Sequence, residues 1–235
     1  MDERILCINR TYDFKKSNID SELFVLDDSN YNYNYTKKFP NNDILLLPNK
    51  MQCDILNFNR SEIENNNEYQ QLIVGLVIKS NDDLLVLECI DGDMVGYNTM
   101  IEGHVIYDEK EKNTLLNTIL YENILREFNE EIVVNFSKID EKDIGAFYNL
   151  HLKYIAWNNT NKNNISYRHI GFIYELDISD TKYPLSKTIF REGEPSKNKI
   201  KFINLNKINK DNFDMFCSWT KELIVYYQFK KDHKY

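Results

Sequence analysis

The sequence predicts an α/β fold, a mixed sheet flanked by helices in the manner of an α/β/α sandwich. Three observations predict it. Short β-type apolar runs recur at 72–79, 84–90, 144–157, 166–178 and 199–204. One long stretch, 115–132, carries helical periodicity, and a second helical stretch closes the chain near 214–227. The order of elements is therefore β-rich, helix, β-rich, helix.

Taken in order, residues 4–9 (RILCIN) read as a short buried strand. Residues 28–42 are polar and rich in Asn and Tyr, as a loop is. Residues 44–47 form a second apolar run that Pro48 ends. Residues 60–70 are polar and fit a helix or an ordered loop. With no internal repeat and no linker, 1–68 reads as an N-terminal extension packed on a core domain at 69–235. That domain opens with LIVGLVIK and LLVLECI, separated by Ser80-Asn81-Asp82-Asp83, a hairpin signal. Residues 97–106 are a further strand or strand-loop. In the helix, Leu116, Leu120, Ile124 and Phe128 stand on one side at i, i+4 spacing, and Ile119 and Leu125 widen that face. Thr114 or Asn113 is the expected N-cap. An Asn-rich loop separates the runs at 144–157 and 166–178. In the last helix Phe216, Trp219, Leu223 and Tyr226 or Tyr227 should face inward.

The bulk numbers exclude several functions. The net charge is -8, and no basic run exceeds a Lys-Lys pair. A protein that wraps nucleic acid or coats an anionic membrane needs a positive surface, so neither is expected. A small anionic substrate remains open, because a divalent metal can supply the missing charge. Cys7, Cys53, Cys89 and Cys217 are scattered, without a C-x-x-C pair or a nearby His pair, which argues against zinc and for free thiols. The N-terminus lacks a basic segment followed by an apolar run, and no stretch reaches the length of a membrane span. The expectation is a cytoplasmic protein, with a homodimer left open.

Glu127, Glu130 and Glu131 carry the chemistry. On a helix they lie at i, i+3 and i+4, so the three carboxylates leave neighbouring points of one face. Their mutual repulsion must be offset, and hard divalent cations do so with oxygen ligands plus water and substrate phosphates. Arg126, four residues ahead of Glu130, can hold one carboxylate in place. A solvated acidic face is the competing reading of the same spacing.

The segment Arg126-Glu127-Phe128-Asn129-Glu130-Glu131 resembles the R-E-U-x-E-E part of the Nudix box, G-x5-E-x7-R-E-U-x-E-E-x-G-U, with U aliphatic. Val134 matches the last U, and Ile101-Glu102-Gly103-His104-Val105 resembles the strand-to-loop start of the box. Weaker likeness to a bacterial Nudix subgroup runs through 67–73, 167–172, Arg191-Glu192 and Cys217-Ser218-Trp219-Thr220. The chain departs from the box where its Gly falls on Lys112, its first Glu on Thr118 and its final Gly on Val133. Gly103 fits the first Gly if residues 104–113 form a longer loop.

The resemblance implies a Nudix-like α/β/α sandwich and a hydrolase. Its reaction is attack of water on one phosphorus of a nucleoside diphosphate linked to another group, with Mg2+ or Mn2+ bound. It implies Glu127, Glu130 and Glu131 as metal ligands, a carbonyl near Glu102 or Gly103 as a further ligand, and Arg126 as the residue orienting the carboxylates. A general base is expected from the helix or from Arg191-Glu192-Gly193-Glu194, with Glu192 favoured over Glu194. Arg191 is a candidate phosphate clamp and Gly103 and His104 are candidate contacts to the nucleotide. Tyr97, Tyr107, Phe147 and Trp157 are aromatic enough to stack on a base. Asp108, Glu109 and Glu111 should make an acidic rim that disfavours triphosphates. The second reading is a catalytically weak Nudix-fold module that binds or senses a nucleotide. A structural interaction domain with an acidic helix is the third.

Overall fold

The computed structural model describes residues 3–9, 22–25, 55–92, 94–107, 114–157 and 165–232. The expected loop at 28–42, the run at 44–47, the Asn-rich loop at 158–164, Cys53, Asp108, Glu109, Glu111, Lys112 and Asn113 lie outside these residues.

Twelve strands are found among the described residues: β1 (Arg4–Asn9), β2 (Glu22–Val25), β3 (Ile55–Asn59), β4 (Tyr69–Ser80), β5 (Asp83–Cys89), β6 (Asn98–Thr99), β7 (Ile101–His104), β8 (Ile132–Val134), β9 (His151–Trp157), β10 (His169–Asp177), β11 (Phe190–Glu192) and β12 (Asn198–Asn204). A single helical turn α1 (Arg60–Ile63), the long helix α2 (Leu116–Glu131) and the last helix α3 (Ser218–Asp232) complete them, with short 3-10 turns between. The architecture is α/β, as the patterning predicts. No helix among the described residues is long and apolar enough to cross a membrane.

The chain divides into two compact units, each described by itself. The first comprises Met1–Gly75, Gly103–Leu125 and Leu152–Ile173. In it β1 runs antiparallel to both β3 and the start of β4, with Cys7 opposite Leu56 on one side and Gln71 on the other. The continuous apolar run of RILCIN, buried from Ile5 to Ile8, thus has strands on both edges. Ile5, Cys7 and Ile63 are buried together, with Phe58 and Tyr69 packed against them. β2 pairs antiparallel with β9, Leu23 opposite Ala156.

The second unit comprises Leu76–Glu102, Arg126–His151 and Tyr174–Tyr235. β5 is its central strand. It pairs antiparallel with β4 (Ile78 opposite Leu85), with β12 (Cys89 opposite Asn198 through to Asp83 opposite Asn204) and with β6 (Leu87 opposite Thr99). The β4–β5 turn is Asn81-Asp82, as expected. Asn81 takes φ 53 there, a left-handed conformation that Asn tolerates better than most residues. Its amide donates to Ser179 Oγ at 2.6 Å.

Helix α2 follows its sequence pattern. Leu116, Ile119, Leu120, Ile124 and Phe128 are all 3% exposed or less, and each buried side chain of this size contributes about 1.5–3 kcal/mol relative to leaving it in water. In α3, Phe216 just ahead of the helix, Trp219, Leu223 and Tyr226 are buried, whereas Tyr227 donates its hydroxyl to Glu175 at 2.6 Å.

The run expected at 166–178 becomes a strand only from His169, after a 3-10 turn at Ile165–Arg168, and two further segments differ from expectation. Residues 144–148 belong to a 3-10 helix, Glu141–Tyr148, and the strand starts only at His151. The Tyr183 hydroxyl accepts from the Asp140 amide at 2.7 Å and donates to Asp143 Oδ2 at 3.2 Å. Phe147 is fully buried, with its ring 5.9 Å from those of both Tyr183 and Phe190. Partners distant in sequence hold this turn, so local alternation misleads. The second difference is a two-stranded ribbon, β8 with β11, that the sequence reading does not contain: Phe190 lies opposite Val134, Arg191 opposite Val133 and Glu192 opposite Ile132. Three-residue strands are too short to show alternation.

One titrating group in α3 gives a stability test. Burial pushes the Glu222 carboxyl up to about 6. The charged form is therefore disfavoured in the fold, a penalty absent below the ordinary carboxylate pKa and complete above pH 6. Glu222→Gln should raise unfolding free energy at pH 8 by about 1–2 kcal/mol, discounted for residual solvent contact, and leave it nearly unchanged at pH 4.5. Denaturant titrations at the two pH values check this. An equal effect at both would contradict it.

Candidate active site

Helix α2 passes directly into β8, and this junction holds the predicted acidic cluster. Phe128 anchors the helix end in the core, which turns Glu130 outward and leaves Glu131 half-buried. Glu127 differs from its neighbours: only 7% of it is exposed. Arg126 ties two of the three carboxylates, donating to Glu127 Oε1 at 2.5 Å and to Glu130 Oε2 at 2.9 Å. The spacing gives Arg126 one carboxylate to hold, that of Glu130, and the contact to Glu127 adds a second.

Glu131 is fastened from a different direction. Asn198, the first residue of β12, donates Nδ2 to Glu131 Oε2 at 2.5 Å. The Gly193 amide donates to the Glu131 carbonyl at 2.8 Å. Gly193 follows the β8–β11 ribbon and lies so close to the helix end that a Cβ there would stand 2.0 Å from the Glu130 carbonyl oxygen. Only glycine permits this approach. The turn after it is closed by Lys197 and Asn198, whose amides donate to the Glu194 carbonyl at 3.0 and 3.1 Å.

The electrostatics follow from the burial. Burial raises the Glu127 carboxyl, opposed by Arg126 and reinforced by Glu130 and Glu131. Burial also raises Glu131, opposed by the Asn198 bond and reinforced by the charge of Glu194. In both groups burial is the largest cause, and the neighbouring donors offset only part of it. The donors are all oxygen, which suits a hard divalent cation better than zinc. Among the described residues, however, no three His, Cys, Asp or Glu side chains converge closely enough to hold a metal ion. Glu127 and Glu130 are bonded to Arg126, and Glu131 to Asn198. The donor set fits Mg2+ or Mn2+ in chemistry, with Arg126 and Asn198 as the groups a cation would compete against.

The other predicted residues are placed as follows. Glu192 lies on β11, where its Oε1 accepts from the Ile200 amide at 3.1 Å and lies 3.7 Å from Lys187 Nζ. Its carboxyl is held low, first by its own backbone amide and then by those partners. It is therefore a weak base committed to joining β11 to β12. Glu194, the less favoured of the pair in sequence, is the one whose charge acts on Glu131. Arg191 is exposed on the ribbon opposite Val133. Gly103 and His104 end β7, in the first unit, and His104 Nε2 is 2.8 Å from Gln71 Oε1. The His104 ring meets His169 edge-on at 5.4 Å. Burial above all, with His104 beside it, pushes His169 down to about 3. Phe147 is core, Tyr97 is exposed and Tyr107 is half-buried. The side chain of Trp157 lies outside the described residues.

Val133 explains one departure from the box. Glycine is needed only where φ is positive or the backbone crowded. Val133 instead sits in extended β8 with a side chain 48% exposed, and among the described non-glycine residues only Asn81 has positive φ. Valine fits there without strain. Thr118 is exposed on α2. Sequence reasoning missed Asn198, Lys197 and the part played by Gly193. It also missed Asn123, which bonds both the amide and the carbonyl of Ile106 at 2.9 and 3.3 Å. Gly193 carried a usable signal, being one of only seven glycines in the chain. The asparagines carried none, because Asn is abundant throughout. The sequence points to the Glu102 carbonyl, but its carboxyl is the notable group: burial raises it against a hydrogen bond from Thr99.

No protein-family model matches the chain, and no curated protein matches it. Solved structures do. The fold is that of the Nudix hydrolases, an α/β fold matched along nearly the whole chain. The relative that carries this match is Tm1382, provisionally classed as a Nudix hydrolase. Its crystal structure superposes with a TM-score of 0.63 and 18% identity over 95% of this chain and 97% of that one. A bifunctional NMN adenylyltransferase/ADP ribose pyrophosphatase from Francisella tularensis, complexed with AMP and a Mn ion, aligns at TM-score 0.39 and 12% identity, over 62% of this chain and 36% of that one. The MutT Nudix hydrolase of Burkholderia pseudomallei aligns at 0.37 and 14%, over 60% of this chain and 88% of that one.

Proposed function

We propose that the chain is a Nudix hydrolase that cleaves the pyrophosphate bond of a nucleoside diphosphate joined to another group, such as a dinucleotide or nucleotide sugar. What carries the reading is one observation: Glu127, Glu130 and Glu131 stand on the last two turns of α2, gripped by Arg126 and by the Gly193–Asn198 turn. The Nudix-like fold supports it. Mg2+ or Mn2+ bound by these glutamates would offset phosphate charge and acidify a water for attack. Arg126 orients Glu127 and Glu130, and Asn198 orients Glu131. Glu192 keeps the turn in register with β12, while Glu194 is the further acid facing Glu131. Cys7, Cys89 and Cys217 are free thiols, which suits a reducing, cytoplasmic setting.

The test is incubation with a panel of ADP-ribose, dinucleotides, nucleotide sugars and nucleoside triphosphates in Mg2+ or Mn2+, with products resolved chromatographically. Metal-dependent release of a nucleoside monophosphate is expected. The second reading, a binding module without turnover, is favoured by Thr118 in place of a glutamate and by carboxylates held to separate partners. Calorimetry in Ca2+ on the same panel separates it: binding without any turnover in Mg2+ or Mn2+ would select the module.

A further inference from the structure

We propose that Lys197 is the side chain that receives a substrate phosphate at this site, released for that purpose from Glu194. This rests on the reading of the α2 end as a pyrophosphate site and adds a residue to it.

Charge at the helix end is unbalanced. Four carboxylates (Glu127, Glu130, Glu131 and Glu194) face two cations, Arg126 and Lys197. A phosphate cannot approach four carboxylates cheaply, and a divalent cation would only bring that cluster to neutrality. That sum already includes both protein cations, so attraction at close range depends on which of the two can leave its carboxylate and turn to the phosphate. Arg126 is poorly suited, because it already bonds Glu127 and Glu130 at 2.5 and 2.9 Å. Lys197 is differently held. Its Nζ contacts Glu194 at 2.9 Å, three residues away, and its side chain is 61% exposed. An exposed pair of this kind is weak and easily exchanged.

The backbone beneath Lys197 is firm. Its amide donates to the Glu194 carbonyl at 3.0 Å and its carbonyl accepts from Ile90 at 2.9 Å. The next residue, Asn198, is bonded to the Glu131 carboxylate. Lys197 is thus fixed at its Cα immediately beside a glutamate of the site, while its ammonium can move. The charges of Glu131 and Glu130 both act on Lys197, in keeping with that placement. Lysine is a compact point charge on a flexible stem, suited to following a phosphate oxygen.

The experiment measures the Kd of inorganic pyrophosphate by calorimetry in Ca2+, for wild type, Lys197→Gln, Lys197→Arg and Glu194→Gln. Losing a charge-assisted contact should weaken binding about tenfold in Lys197→Gln. Lys197→Arg should stay within about threefold of wild type, and Glu194→Gln, which frees the lysine, should tighten binding about threefold. The opposite signs matter. If the pair merely braced the turn, both Lys197→Gln and Glu194→Gln would weaken binding together, and the proposal would be overturned. Binding by Lys197→Gln within about twofold of wild type overturns it too, as does a wild type that does not bind pyrophosphate. Turnover on the nucleotide panel is read separately. Silence there with the Lys197 effect intact removes the hydrolase reading and leaves a phosphate site. Turnover without the effect removes only Lys197.

Discussion

Glu130→Gln and Glu131→Gln should each lower kcat/KM on a nucleoside diphosphate derivative by about tenfold to a hundredfold, while the protein remains folded. The two halves of this expectation have separate causes. Catalytic loss follows from removing a negative ligand oxygen where a cation is to be held. Retention of the fold follows from the contacts. The Glu130 carboxylate is half-exposed and, among the described residues, pairs with Arg126 in an i, i+4 ion pair, worth about 0.3–0.5 kcal/mol on a helix surface. In Glu131→Gln the amide oxygen can still accept from Asn198, so the bond to β12 survives. Metal affinity, read by Mn2+ titration, should fall in parallel with activity. Full activity of both variants at low Mg2+ would remove the assignment of the trio.

Gly193→Ala should lose about 2–3 kcal/mol of stability, the cost of forcing an atom into a packed site, and should lose most activity as well. The added Cβ would lie 2.0 Å from the Glu130 carbonyl oxygen and 2.9 Å from its carbon. Both are backbone atoms of a helix end, so no side chain can swing aside. Either the β11 turn or the last turn of α2 must shift, and that last turn carries Glu130 and Glu131. Gly145→Ala is the matched control, because a Cβ there meets nothing within 4 Å. Its effect should stay within about 0.5 kcal/mol, as surface substitutions usually do. Equal Tm values for the two variants would contradict the close approach at Gly193.

How much of this was legible in the chain depends on the range of the interactions. The α2 face could be read because Leu116, Leu120, Ile124 and Phe128 report helical period within one element. The β4–β5 hairpin could be read because its turn is local to Asn81-Asp82. The glutamate trio was visible because its spacing is helical. What holds the trio was not. Glu131 is bonded by Asn198, 67 residues away, and no local pattern marks an asparagine that will meet a carboxylate. The ribbon of β8 and β11 was hidden for the same reason, since three residues on each side give too little alternation to see. The end of the 3-10 turn at 141–148 reads as the start of a strand because apolar residues at 144, 146 and 147 imitate one. Its true support comes from Tyr183.

If the end of α2 is a divalent-metal site for pyrophosphate cleavage, turnover must require both the metal and the glutamates. Wild type and the double variant Glu130→Gln/Glu131→Gln are incubated with ADP-ribose and a dinucleotide in Mg2+, in Mn2+ and in excess chelator, and monophosphate release is followed by chromatography. Release by wild type is expected in at least one metal and not in chelator, with a loss of at least about a hundredfold in the double variant, the combined effect of removing two ligands. Release that persists undiminished in chelator or in the double variant would contradict it, as would a wild type that cleaves neither compound in either metal.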